Sequence, residues 1–477
     1  MAEMPGFDWR VLRAIAVVLL AIKLVLLIVA HPFMDETYYF MWGHHPQLSY
    51  FDHPSMIGWT QGVAGALFGW NIVGLRIVVL LTLLGDLALL YLMARRIDAD
   101  DWRWSFWTSA TLFLATPILF GLSSVAFPDH LLVFFALATI YAVERLRNDI
   151  GRPRWLYLAA LAIGCATLSK YTGALLGVAA VIYAVATPSL RPLFRSPHLY
   201  FAGLLVLALQ APVLIWNVQH EFASFGFITG GRAGLRGALN FDGVTGFLLG
   251  ALAVLSPFLI VPIVRLLLGR SDGRGYARIL FWLSTLGFLG ASLFTNILIH
   301  WNVLAYVAVL PFLAVFFRSR LLLVAQVTYG ALAIGVAAVN YAVIPITALT
   351  SHPDQTSSWS YGWDEIATAV SDLRQAHPVG FVAATDYALA SPLGFALQDA
   401  DVTSLSPRRD AYDDWFDGAA HAGQDALIIA DQWRPLDAGL QARFGTIETL
   451  QSLDIIRYGR KLDSYTIYLG RGFTPEQ

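Results

Sequence analysis

The sequence predicts a polytopic α-helical membrane protein carrying a small C-terminal extracytoplasmic α/β domain. Three observations predict it. Of 477 residues, 57% are hydrophobic and only 13% are charged. Mean hydropathy is +0.61, more apolar surface than a soluble core could hide but well suited to helices of ~20 apolar residues crossing a bilayer. From Ser351 onward Asp, Gln, Ser and Arg rise, and no later run is long enough to span. The net charge of −2, from 31 Lys+Arg against 33 Asp+Glu, argues against a nucleic-acid partner. The single Cys165 allows neither an internal disulfide nor a CxxC metal site.

Apolar windows place about eleven spans, at roughly residues 12–31, 73–94, 105–122, 130–146, 155–169, 172–187, 200–217, 243–266, 279–297, 302–317 and 320–342. Loop charge sets the orientation. Arg10, Arg13, Arg95, Arg96, Arg103, Arg145, Arg147, Arg152, Arg154, Arg191, Arg195, Arg265, Arg270, Arg274, Arg278, Arg318 and Arg320 fall on one side, and only Lys170, Arg232 and Arg236 in the opposite loops. The positive-inside rule makes the first set cytoplasmic, with the N-terminus inside. The first run lacks a small-residue cleavage site and reads as a retained anchor. Residues 1–350 are thus expected to form a membrane domain that includes an extracytoplasmic loop over 32–72, and residues 351–477 a soluble domain. Within that tail, WDEIATAVSDLRQ and PLDAGLQARF read as helices, and VGFVAAT, DALIIAD and YTIYLG as strands.

The loop over 32–72 holds the densest chemistry. Asp35 and Glu36 follow the first span closely, at the membrane boundary. Adjacent carboxylates there suit a general base, a metal ligand or an acceptor clamp; alternatively, Asp35 caps a short helix beginning TYYFMW. His31, His44, His45 and His53, with Asp35, Glu36 and Asp52, could hold a divalent metal, although their spacing matches no zinc motif. Tyr38, Tyr39, Tyr50, Trp42, Trp59 and Trp70 are expected to form an aromatic belt, with a lipid-facing or sugar-facing role for a minority of the rings.

Outer positive charge is scarce. Lys170, Arg232 and Arg76 are candidates to hold a phosphate, with snorkelling to headgroups as the alternative. Asp129 and His130 in FPDH, and His300 in NILIHWNVLAY, fall in outer turns with both structural and functional readings open. Lys23 and Asp86 lie at similar depth in the first two spans and are expected to pair.

At DETYYFMW, YFDHPSMIGW, FPDH and SKYTG, in this order, the chain resembles the membrane glycosyltransferases of the GT-C fold. The likeness is to the superfamily of protein O-mannosyltransferases and lipid A aminoarabinose transferases, in its bacterial family 39-like members, over roughly residues 10–320. The resemblance implies that Asp35 is the catalytic base and Glu36 its acceptor-contacting or orienting partner. It implies a donor phosphate held by Lys170, Arg232, Arg76 and His53, the last standing where the aminoarabinose transferases carry a basic residue. Asp129, His300 and Tyr39 would line the substrate cavity. The implied partners are a sugar on undecaprenyl phosphate or another polyprenyl phosphate, an acceptor that is a lipid, glycan or protein, and membrane lipids. Direct displacement would invert the anomeric carbon at the outer face of a bacterial inner membrane. A divalent metal remains open. The competing function is a lipid-linked sugar transporter or flippase, which should show charges along a central path.

Overall fold

The computed structural model describes residues 8–232, 239–269, 274–317, 319–349 and 354–475, with the side chains of 231 and 232 also outside that description. The helices run α1 (Trp9–Val29), α2 (Met34–His44), α3 (Met56–Phe68), α4 (Ile72–Ile97), α5 (Trp102–Ala115), α6 (Pro117–Leu122), α7 (Pro128–Asn148), α8 (Arg154–Ser169) and α9 (Ala174–Ala186). Then come α10 (Pro197–Leu209), α11 (Ala211–Gln219), α12 (Phe241–Leu255), α13 (Ile260–Leu268), α14 (Gly275–Ser292), α15 (Val303–Val309) and α16 (Arg320–Ala342). The tail contains α17 (Trp363–Ala376), β1 (Phe381–Ala384), α18 (Tyr387–Leu397), β2 (Thr403–Ser404), β3 (Ala426–Asp431), β4 (Phe444–Arg457) and β5 (Arg460–Phe473).

Among the described residues, five helical segments are long and apolar enough to cross a membrane, and two sharply bent pairs would raise the count to seven. Eleven were expected. Three of the expected spans fall outside that count for local reasons. The segment expected over 105–122 is interrupted at Thr116–Pro117, where the proline ring removes a helix donor. The 16 residues of α8 rise only ~24 Å, short of a ~30 Å hydrocarbon core. In α7, Asp129, Glu144, Arg145 and Arg147 interrupt the apolar run of a helix that is largely buried.

Contacts divide the chain into two units. The first comprises Met1–Val25, Leu48–Ile57 and Val79–Gly335; the second comprises Leu26–Gln47, Gly58–Val78 and Val336–Gln477. In the first unit the charges of Lys23 and Asp86 act on each other as expected, but the hydrogen bonds of Lys23 go elsewhere. The Lys23 ammonium donates to the Phe120 carbonyl (2.6 Å), Ser123 Oγ (3.0 Å) and Ser124 Oγ (2.6 Å). These acceptors sit at the C-terminal end of α6, where unpaired carbonyls and the helix dipole attract a cation. Both Asp86 oxygens are buried with no hydrogen-bond partner among the described residues.

The second unit joins the tail to most of the 32–72 segment. Its five-stranded sheet has the order β2-β1-β3-β5-β4, parallel from β2 to β3 and antiparallel from β3 through β4. Every residue of β3 is buried, as its unbroken apolar run requires of a central strand. The expected helix PLDAGLQARF is reduced to Ala438–Gln441, while α18 and β4 were not expected. The segment expected as a loop contains α2 and α3. Gly43 and Gly62 let these two backbones touch, since a Cβ on either would collide with the other's main chain. Helix α2 is tied to the tail by the Ala411 N–H donating to Tyr38 Oη (2.8 Å). Ring contacts of Tyr38 with Tyr387 (4.7 Å) and Phe40 with Phe395 (5.1 Å) add to it.

Candidate active site

The acidic pair opens α2. Phe33 is extended (φ −74°, ψ 152°) and precedes the first helical residue, Met34, so Asp35 is not the cap. Glu36, at the third helical position, accepts from the Phe33 N–H through Oε2 (3.0 Å), satisfying a donor the helix leaves open. Asp35 lies half-buried one position earlier, where the helix dipole favours a negative charge.

Glu36 is fully buried and its counterion is Arg76, on the first turns of α4. Arg76 Nε donates to Glu36 Oε1 (2.9 Å) and Nη2 to Oε2 (2.6 Å). The remaining donors reach the carbonyls of Leu27 (3.2 Å), Ala30 (2.9 Å) and His31 (3.3 Å). The guanidinium therefore caps the end of α1 while clamping Glu36, and its five N–H groups are all used. Arg76, expected at the donor phosphate, thus has all five donors directed at protein acceptors. Tyr39, also expected at the substrate cavity, is buried on α2 with its ring edge-on to Trp42 at 5.0 Å.

The first unit holds a second buried pair. Lys170 ends α8 in an extended conformation (φ −156°, ψ 137°), which turns its side chain away from the helix. Its Nζ donates to both oxygens of Asp129, at 2.8 and 2.9 Å. Pro128 starts α7, placing Asp129 in the first turn. His130 Nδ1 meets Thr82 Oγ1 at 2.9 Å, and half-buried His300 lies within range of the Asp129 charge. An anion recruited by Lys170 therefore competes with Asp129. His53 is buried, its carbonyl accepting from the Tyr50 N–H at 3.3 Å, and neighbouring Phe51 packs on Phe227 at 4.6 Å. Phe227 begins the turn that ends at Arg232, whose side chain lies outside the described residues, as does all of Arg236.

The histidines proposed for a metal disperse. His31 packs on Tyr361 (4.5 Å), His44 on Trp70 (4.0 Å) and His45 on Trp415 (4.3 Å). Among the described residues no three His, Cys, Asp or Glu side chains gather as a metal site. Sequence reasoning missed both pairings of the acidic residues. The signals were present, since FPDH and SKYTG each carry one member of the Asp129–Lys170 pair.

Residues 52–216 match the family model described as dolichyl-phosphate-mannose-protein mannosyltransferase. The chain is 28% identical over 291 residues to the lipid A galacturonosyltransferase RgtD of Rhizobium johnstonii, an alignment covering 58% of each protein and so little more than half the relative's length. Two solved structures of ArnT from Cupriavidus metallidurans, one without ligand and one bound to undecaprenyl phosphate, superpose with a TM-score of 0.64 at 16% identity. They cover 95% of this chain and 97% of theirs. The fold is that of the GT-C membrane glycosyltransferases. The match over residues 52–216 and the likeness to RgtD agree with the family 39-like resemblance of its motifs.

Proposed function

We propose that this protein moves a sugar from a polyprenyl-phosphate donor, undecaprenyl phosphate in a bacterium, to a hydroxyl of a cell-envelope glycolipid such as lipid A. The names of the relatives support the reading, since one acts on lipid A and another binds undecaprenyl phosphate. One observation carries it. Of two adjacent carboxylates, Glu36 is immobilised by Arg76, while Asp35 beside it is only half-buried and held at a helix start. A rigid neighbour fixes the helix turn that carries Asp35, and its half-buried carboxylate is placed there to work as a base. Asp35 takes the proton of the acceptor hydroxyl as its oxygen attacks the anomeric carbon. The bond from that carbon to the phosphate oxygen breaks, and the configuration inverts. Lys170, a compact cation on a rotatable stem, receives the departing phosphate by exchanging contacts with Asp129, and Arg232 and His53 follow from the resemblance. In this reading the protein sits in the inner membrane with its N-terminus in the cytoplasm and its tail outside.

The test is transfer from radiolabelled undecaprenyl-phosphate sugars to envelope fractions by purified protein. Asp35→Asn should lower turnover by about 10²–10⁴-fold, the usual worth of a general base, while donor binding persists. Undiminished transfer, or a product with retained anomeric configuration, would remove Asp35 from this role.

A further inference from the structure

Outside the acidic pair, the second unit holds a cleft of about 330 Å³ where β1 and β2 begin. That volume is at the lower end of the ~300–1,000 Å³ typical of small-molecule sites. Stacked rings line it: His45 lies over Trp415 with centroids 4.3 Å apart and 12° between planes, and His421 over Phe416 at 4.8 Å and 29°. Both imidazoles are anchored, His45 Nε2 to the Ala400 carbonyl (3.1 Å) and His421 Nδ1 to the Asp417 carbonyl (2.8 Å). Burial lowers the His45 imidazole from its ordinary range, and its Nε2–H donates to the Ala400 carbonyl. These are preorganised apolar faces.

The polar lining is incomplete. Asp401 is exposed and makes no hydrogen bond or ion pair through its carboxylate among the described residues. Thr403 is 3% exposed and, among the described residues, neither its hydroxyl nor the buried Trp415 indole N–H has a partner. Buried polar atoms without partners are uncommon and mark a place where another group completes them. The charge balance selects among ligands. Asp399, Asp401 and Asp417 line the cleft against one cation, Arg374, which is already held by Asp399 at 2.8 Å. An anion is repelled, and a purely apolar molecule leaves the carboxylate and hydroxyl unused. A ring with C–H faces for the aromatics and hydroxyls to donate to a carboxylate satisfies both demands.

We propose that this cleft binds an uncharged pyranose ring of a glycan. That the glycan is the acceptor rests on the glycosyl-transfer reading above; the binding itself does not. His45 immediately follows α2, whose 11 residues rise ~16 Å from the acidic pair at the other end. The cleft therefore suits a sugar unit remote from the reacting hydroxyl, whose binding energy would select the acceptor.

The experiment uses the full chain in lipid nanodiscs and saturation-transfer NMR. The probes are methyl glycosides of glucose, galactose, mannose and N-acetylglucosamine, their β-linked disaccharides, and methyl glucuronide as an anionic control. At least one uncharged glycoside should bind saturably, and Trp415→Ala should weaken it tenfold or more. Asp401→Asn, at an exposed position that folding tolerates, should weaken it severalfold and narrow the gap to the glucuronide. No saturable binding by any uncharged probe, equal binding of the glucuronide, or indifference to Asp401→Asn would overturn the proposal. Binding is read without donor, so failed transfer would leave it standing. Intact transfer without saccharide binding would sink this proposal alone.

Discussion

Glu36–Arg76 and Asp129–Lys170 are both buried pairs with closest contacts of 2.6 and 2.8 Å, and by distance they look equivalent. Their donors tell them apart. Arg76 distributes its planar fork over one carboxylate and three main-chain carbonyls, so removing it orphans the end of α1 as well as Glu36. Lys170 instead spans both oxygens of Asp129 with a single ammonium, which can rotate to another acceptor on the same stem. Burial alone therefore does not identify a ligand-binding cation; the destination of its donors does. The first pair is a clamp, whereas the second can exchange one anion for another.

The largest effect should come from breaking the clamp. Arg76→Met leaves a buried carboxylate uncompensated and should cost about 3–5 kcal/mol, read as a collapse of the thermal midpoint in detergent. The comparison is sharpened by neutralising each partner. Adding Asp129→Asn to Lys170→Met removes the whole charge pair and should recover most of the stability. Adding Glu36→Gln to Arg76→Met should recover much less, because the Leu27, Ala30 and His31 carbonyls still lack donors. Equal recovery in the two double variants would erase the distinction between clamp and exchangeable pair.

A third buried carboxylate shows the intermediate case, a charge with no cation in contact. Asp463 accepts from Gln432 Nε2 (2.9 Å) and the Ser464 N–H (2.8 Å), but its second oxygen is unpartnered among the described residues. Burial pushes its carboxyl up to about 6. Between the ordinary aspartate range near ~4 and that value, the folded chain keeps a proton that the unfolded chain has lost. Its contribution therefore falls as pH rises through this window and is flat above it, a loss of up to about 3 kcal/mol. Asp463→Asn should match wild type at pH 4 and gain a higher thermal midpoint by pH 7. An offset independent of pH would remove the carboxylate as its cause.

Legibility followed the same division between pattern and partner. Strand β3 and the amphipathic α17 were readable because a continuous apolar run and a helical apolar period each report the burial of the element. Helix α18 was hidden by Pro392 and Gly394, which read as breakers. It forms because Asp386 caps it through the Ala388 N–H (2.9 Å) and seven of its residues are buried. Strand β4 was hidden by its largely exposed, polar face; only pairing with β5 makes it a strand. The turn joining them puts Tyr458 and Gly459 at φ 50° and 72°, a hairpin geometry more often announced by Asn-Gly. At the site, Asp35 and Glu36 were legible as a motif. The role of Arg76 was not, because a sequence shows a charge without showing which carbonyls its donors will meet.

The smallest effect tests whether distance has any standing of its own. Lys461 Nζ lies 2.8 Å from Asp454 Oδ1 across the β4–β5 hairpin, the same separation as Lys170 from Asp129. Here the side chains are 51% and 49% exposed rather than almost wholly enclosed. Water competes for both charges, salt screens them, and fixing two long side chains offsets the remaining attraction. Lys461→Ala should therefore leave the thermal midpoint of the full chain within experimental scatter at 0.15 M salt, the ~8 Å screening regime. A drop approaching that of Lys170→Met would mean that contact geometry, not desolvation, governs these pairs, and the contrast between clamp and exchangeable pair would then have to be rebuilt on geometry alone.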